Sequence, residues 1–329
     1  MNIRSCRHGV GVVERASGSA VLAVVLSAIL TLSHVGSTHA SEVVEARNID
    51  RPNQAIPSEL PGLDDPSIRE LWREGIELEE AGDLIGSNDR YQIIADRLGT
   101  SAYPYWRMAR NYWHQHLNVP KTDKDQRIFY LELSDQMADR GLALDDQCTE
   151  CMLWKYAALG RLPTIKGLLS AAGDAKTLAN LLEQGIELSA KKGEDSSNTT
   201  LAEFYYASAT FYRMVPDWFW LRWVVGVQGN KERAIDDARK AVSLAETHLE
   251  YQVELGATLL CFGEAKTKPE RTEEGLELLR RVEAYPLTPE SDAMDQVFAQ
   301  MLLESPGKAC KFSRIGFIDV DSVAAKGMD

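Results

Sequence analysis

The sequence predicts an all-α protein built from repeated helical hairpins, and three observations predict it. From Pro66 onward apolar residues recur with a helical period, and no convincing alternating strand precedes the last stretch. Four segments, WRMARNYW (106–113), WKYAALGR (154–161), YYASATFY (205–212) and QVELGATL (252–259), share a spacing: a large or polar anchor, small residues three or four positions on, and a bulky residue at seven. Their starts lie 48, 51 and 47 residues apart, a regularity that marks internal repetition.

The first forty residues read as an export signal. Arg4, Arg7 and Arg15 form a basic head, AVLAVVLSAILTL (20–32) an apolar run, and Thr38 and Ala40 the small residues of a cleavage site. Its thirteen residues fall short of the roughly 20 that span a bilayer. Cleavage near Ala40 would release the chain to the periplasm or the exterior; retention as an uncleaved anchor is the alternative. Residues 41–65, with Pro52, Pro57 and Pro61, read as an extended leader; 66–305 hold the helices and 306–329 form a tail with room for one short strand or none.

The opening helices are expected within 66–82 and 88–98, as a cap. Each of the four repeated segments is then the first helix (A) of a pair. The second (B) carries small or apolar residues at i, i+4, i+7 and i+10: Ser134, Ala138, Gly141 and Leu144; Leu178, Leu182, Gly185 and Leu188; Ala234, Ala238, Ala241 and Leu244; Gly275, Leu279, Val282 and Tyr285. Small residues on both helices let them approach closely, as in a tetratricopeptide repeat (TPR) solenoid. A standard repeat has about 34 residues, so a period near 48 assigns roughly 7 to 13 extra residues to each A–B turn. Those insertions are 117–127, 162–176, 214–230 and 262–272. A last helix near 289–304, with Pro289 in its first turn, closes the array.

WRMARNYW (106–113), DRGLALD (139–145), WKYAALGRL (154–162) and the run FYRMVPDWFWLRWVVGVQGNKERAIDDARKAV (211–242) together resemble the TRAP-transporter-associated periplasmic TPR component, the TatT family. The first half is also similar to the TPR-like domain of the regulator-of-microtubule-dynamics family. The resemblance covers roughly 66–305. It implies a non-enzymatic helical protein, assembled as a homo-trimer beside the solute-binding protein of a transporter for small organic acids or other hydrophobic ligands. Family members are often lipoproteins, whereas no cysteine follows the apolar run of this signal.

Charge narrows the partners. The first forty residues carry three arginines and one glutamate, which leaves 33 basic and 48 acidic residues and a net charge of −15. Such a surface argues against nucleic acid and against anionic lipid. No phosphate loop, nucleophile elbow or HExxH appears, and no cofactor is expected. Cys148, Cys151, Cys261 and Cys310 permit three pairings in an oxidising compartment, and sequence does not choose among them. Cys148-x-x-Cys151 opens a helix without a βαβ context, which favours packing or a local disulfide over redox or zinc chemistry. His114 and His116 point about 200° apart on a helix and read as surface or helix-end residues.

The candidate binding residues lie along the A helices: Trp106, Arg110, Trp113, Trp154, Arg161, Tyr205, Tyr212 and Arg213. Arg110, Arg161 and Arg213 either pair with an acid or a helix-end carbonyl, or face a pocket and clamp a ligand carboxylate. Trp218, Trp220 and Trp223 crowd the third insertion, where core packing, a pocket wall or subunit contact, and membrane insertion are the three readings. A solute-binding protein is the expected partner; a scaffold for other periplasmic proteins is the alternative.

Overall fold

The computed structural model describes residues 60–166, 174–192, 198–215, 226–263, 268–286, 293–314 and 316–317. Expectations for the export signal, for most of the leader, for Pro289 and for Trp218, Trp220 and Trp223 lie outside the described residues. The described part is all-α. Its helices are α1 (Pro66–Glu80), α2 (Leu84–Leu98), α3 (Tyr103–Asn118), α4 (Lys124–Leu144), α5 (Thr149–Lys166), α6 (Ala175–Lys192), α7 (Asn198–Met214), α8 (Lys231–Leu244), α9 (Leu249–Gly263), α10 (Pro269–Glu283) and α11 (Ala293–Glu304). Among the described residues no helix is long and apolar enough to cross a membrane.

Short polar side chains start many of these helices by satisfying backbone N–H groups that have no partner within the helix. Asp65 accepts from Ser67 N at 2.8 Å, Asp83 from Gly86 N at 2.9 Å, Asp123 from Gln126 N at 3.1 Å and Asn230 from Arg233 N at 3.0 Å. Leu60–Asp65 turns onto α1: Leu60 is buried, and Trp72 donates its indole N–H to the Pro61 carbonyl at 3.0 Å.

The helices pair as the repeats require. The A helices are α3, α5, α7 and α9, the B helices α4, α6, α8 and α10. Each B helix packs on its own A helix and on the next one, and each A helix also touches the following A helix, up to α11. Glycines set the approach. A Cβ at Gly185 of α6 would sit 2.2 Å from the Phe204 ring of α7, and one at Gly141 of α4 would sit 2.5 Å from Cys151 Sγ of α5. In both places the B helix meets the next A helix where only hydrogen fits.

The extra residues of each repeat do not all go where the period assigned them. The first A–B turn is only Val119–Asp123, because Asp123 caps α4 early and the helix then runs for 21 residues. α5 also outlasts its expected stop and carries Pro163 within it to reach Lys166. A proline this near a helix end removes one late hydrogen bond and does not stop the helix.

Beyond α11 the chain makes a 3₁₀ turn (Pro306–Lys311) and a minimal antiparallel hairpin. β1 (Phe312–Ser313) faces β2 (Gly316–Phe317), with Phe312 opposite Phe317. Two strands thus replace the single one allowed for. The reason is Phe312, buried edge-on to Phe298 with ring centres 5.6 Å apart, which anchors this segment against the last helix. Cys310 is bonded to Cys261 of α9 and Cys148 to Cys151, which selects one pairing of the three.

Candidate functional site

The three candidate arginines meet three different fates. Arg110 on α3 holds Glu79 of α1 at 2.9 Å and shares that oxygen with Arg107 at 2.8 Å. Arg213 on α7 is closed off from solvent and pairs with Glu254 of α9, while its Nη1 donates to the Ala309 carbonyl at 2.9 Å. Both arginines therefore take the structural role weighed for them. Arg161 differs: it forms no ion pair among the described residues, and its Nε–H points instead at His116 Nε2, 3.3 Å away.

His116 makes that contact possible. It lies in the last turn of α3, a helix-end position as expected, but none of its surface is exposed, contrary to the surface half of that reading. Its Nδ1 meets the Trp113 carbonyl, which fixes the proton on Nδ1 and leaves Nε2 as an acceptor for Arg161. Burial holds the imidazole at a pKa of about 4; the Trp113 carbonyl opposes this, and the Arg161 and Arg127 guanidinium groups add to it. Arg161 is itself lowered to about 10, first by burial and then by the Arg127 charge.

Aromatic side chains wall this corner. Trp113 of α3 and Trp154 of α5 lie 5.8 Å apart, His116 sits edge-on to Trp113 at 5.1 Å, and His114 lies 5.6 Å from Trp154. Three of the candidates, Trp113, Trp154 and Arg161, are thus brought together between α3 and α5. Arg161 follows Trp154 by two helical turns on one face, so the repeat spacing itself places ring and charge in line.

The other candidates are dispersed. Trp106 packs beside Tyr103 and near the Arg107 and Arg110 guanidiniums. Tyr205 faces Lys240 at 4.8 Å, and buried Tyr212 lies under Arg233 at 4.2 Å, where each ring braces the next helix. Cys148 and Cys151 close the entry to α5 and are buried beneath Ala102, Trp106 and Leu142, a setting that withholds them from thiol exchange. A recess of about 430 Å³ between α8, α9 and α10 is lined by Arg239, Glu274 and Arg281 among others. One of its two arginines is already spent, since Arg239 Nη2 reaches both oxygens of Glu274 at 2.9 Å.

Sequence reasoning missed His116 as the holder of Arg161. The spacing of Trp113 and His116, one helical turn apart, is the signal that could have drawn attention to it. It also missed Glu203 of α7, a half-buried carboxylate raised to about 7 by burial and then by Glu250. No family model matches this chain, and no characterised protein does.

Proposed function

We propose that this chain is an exported, non-enzymatic helical-repeat protein that serves a TRAP-type solute transport system, contacts its solute-binding protein and holds a small hydrophobic or carboxylate ligand. The observation that carries the ligand part is Arg161: a half-buried guanidinium oriented by a neutral imidazole, beside two tryptophans and without an acid among the described residues. The transport part rests on the residues that resemble the TatT family, and the periplasmic location on the signal-like first forty residues. Assembly as a homo-trimer belongs to the same reading.

Crosslinking in the native host, followed by purification and mass spectrometry of partners, tests it. Recovery of a solute-binding protein is the expected result, and its consistent absence would count decisively against the transport role. Native mass tests the trimer, which a clean monomer at working concentration would remove. The continuous stacking of α3, α5, α7, α9 and α11 favours a second reading, a scaffold that presents this A-helix face to other proteins. Recovery of a partner with no link to transport would select it.

A further inference from the structure

We propose that Arg127 and Arg161, with the indole N–H of Trp113, form a binding site for the carboxylate of a small organic acid whose apolar body lies along Trp113 and Trp154. The inference rests on the ligand-holding reading above; it adds a second cation, a third donor and the chemical class of the ligand.

The three donors come from one corner of the helical array. Trp113 and His116 occupy the last turns of α3, Arg127 the first turn of α4, and Arg161 the last turns of α5. These three helices all pack against one another. His116 spends both ring nitrogens on positioning: Nδ1–H is held by the Trp113 carbonyl, and Nε2 receives Arg161 Nε–H. It orients Arg161 and cancels none of its charge. The terminal nitrogens of Arg161 remain available for an oxyanion, the geometry at which guanidinium excels.

Arg127 is the second unspent charge. It has no acid partner among the described residues, and its Nε is buried without an acceptor. Trp113 Nε1 is buried without an acceptor as well. Leaving such donors unmet costs about 1–3 kcal/mol each, and placing two like charges near each other adds to it. Arg107, Arg110, Arg213, Arg233 and Arg314 each meet a carboxylate, so their charges are compensated even where a single Nε, as in Arg107 and Arg110, lacks an acceptor. One anion seated at the corner would satisfy Arg127, Arg161 and the indole together. The two indole faces offer an apolar wall that a bare inorganic anion would leave unused, which favours an organic carboxylate over phosphate.

Isothermal titration calorimetry of the full chain with benzoate, benzyl alcohol and inorganic phosphate tests this. Benzoate should bind saturably and lose at least about tenfold in affinity in Arg127→Gln and in Arg161→Gln, one charge-assisted contact each. Benzyl alcohol, with the same ring and no charge, should give no saturable heat. Arg127→Gln removes an uncompensated charge and no hydrogen bond among the described residues, so its thermal midpoint should equal or exceed that of the parent, which separates lost binding from lost folding. Arg161→Gln also gives up the bond to His116, so its native helix content is verified by circular dichroism at the titration temperature. Benzoate binding of equal strength in both variants would overturn this site and leave the ligand-holding reading intact. Phosphate binding as tightly as benzoate would overturn the carboxylate assignment. Absence of binding by benzoate and phosphate alike would remove the site and, with it, the carboxylate form of the ligand-holding reading.

Discussion

Arg213 grips both oxygens of Glu254, Nε to Oε1 at 2.7 Å and Nη2 to Oε2 at 2.9 Å, and solvent reaches almost none of either side chain. Removal of one partner leaves the other charged and buried. Glu254→Gln should therefore destabilise the fold by about 3–5 kcal/mol, whereas the double substitution Arg213→Met with Glu254→Met should recover much of the loss. Urea unfolding of the single and double variants checks this, and equal losses in both would mean that the pair contributes net stability. Arg213→Gln should change folding and leave benzoate affinity as it is.

The two disulfides should contribute unequally. Cys261 and Cys310 close a loop of 49 residues, Cys148 and Cys151 one of three. Constraint of the unfolded chain predicts a loss of about 4 kcal/mol for Cys261→Ser with Cys310→Ser, and about half that for the local bridge. Denaturant midpoints of the two double variants give the comparison, and a larger effect from the local bridge would refute the loop-length account.

Acid should weaken the fold through His116. Its folded-state pKa of about 4 lies below the ordinary histidine value of 6.5, so the unfolded chain binds the proton more tightly. The stability that depends on the neutral ring is complete above pH 6.5 and declines as pH falls toward 4, by about 3 kcal/mol at most. Unfolding measured across that window should show the decline, and His116→Gln should flatten it.

Glu203 works in the opposite direction. Burial raises it to about 7, Glu250 and Glu150 add to the rise and Arg110 opposes it, so the folded state holds the proton more tightly than an ordinary glutamate, at 4.5, does. Its favourable contribution is complete below pH 4.5 and disappears as pH rises through 7. Glu203→Gln should accordingly raise the thermal midpoint at pH 8 and change it little at pH 4.5. A difference independent of pH would show that burial of this carboxylate is not the cause.

The hairpins were legible because period and glycine spacing are local. Gly141 and Gly185 announce close helix contacts whatever their neighbours turn out to be, and the observed approaches to Cys151 and Phe204 follow. Helix ends were less legible: Asp123 and Pro163 each admit a stop or a continuation, and packing decides. The candidate site was half visible. Trp113, Trp154 and Arg161 stand out by type and spacing, but nothing in sequence separates Arg161 from Arg110 and Arg213. That distinction depends on which acids α1 and α9 bring into reach, namely Glu79 and Glu254. Arg127 and His116 were hidden for the same reason, since lacking an acid and being buried are both properties of the assembled helices.

The hold of the C-terminal segment on α9 also bears on the order of events as the chain is made. Arg213 waits 96 residues for the Ala309 carbonyl, and Cys261 waits 49 for Cys310. Cys148 and Cys151 emerge well before either and need only three residues to find each other. Once they have joined, neither can capture Cys261 while it stands alone. The near bridge thereby acts as a guard for the far one, and Cys148→Ser should show this as a rise in mispaired chains on oxidative refolding, visible in non-reducing gels.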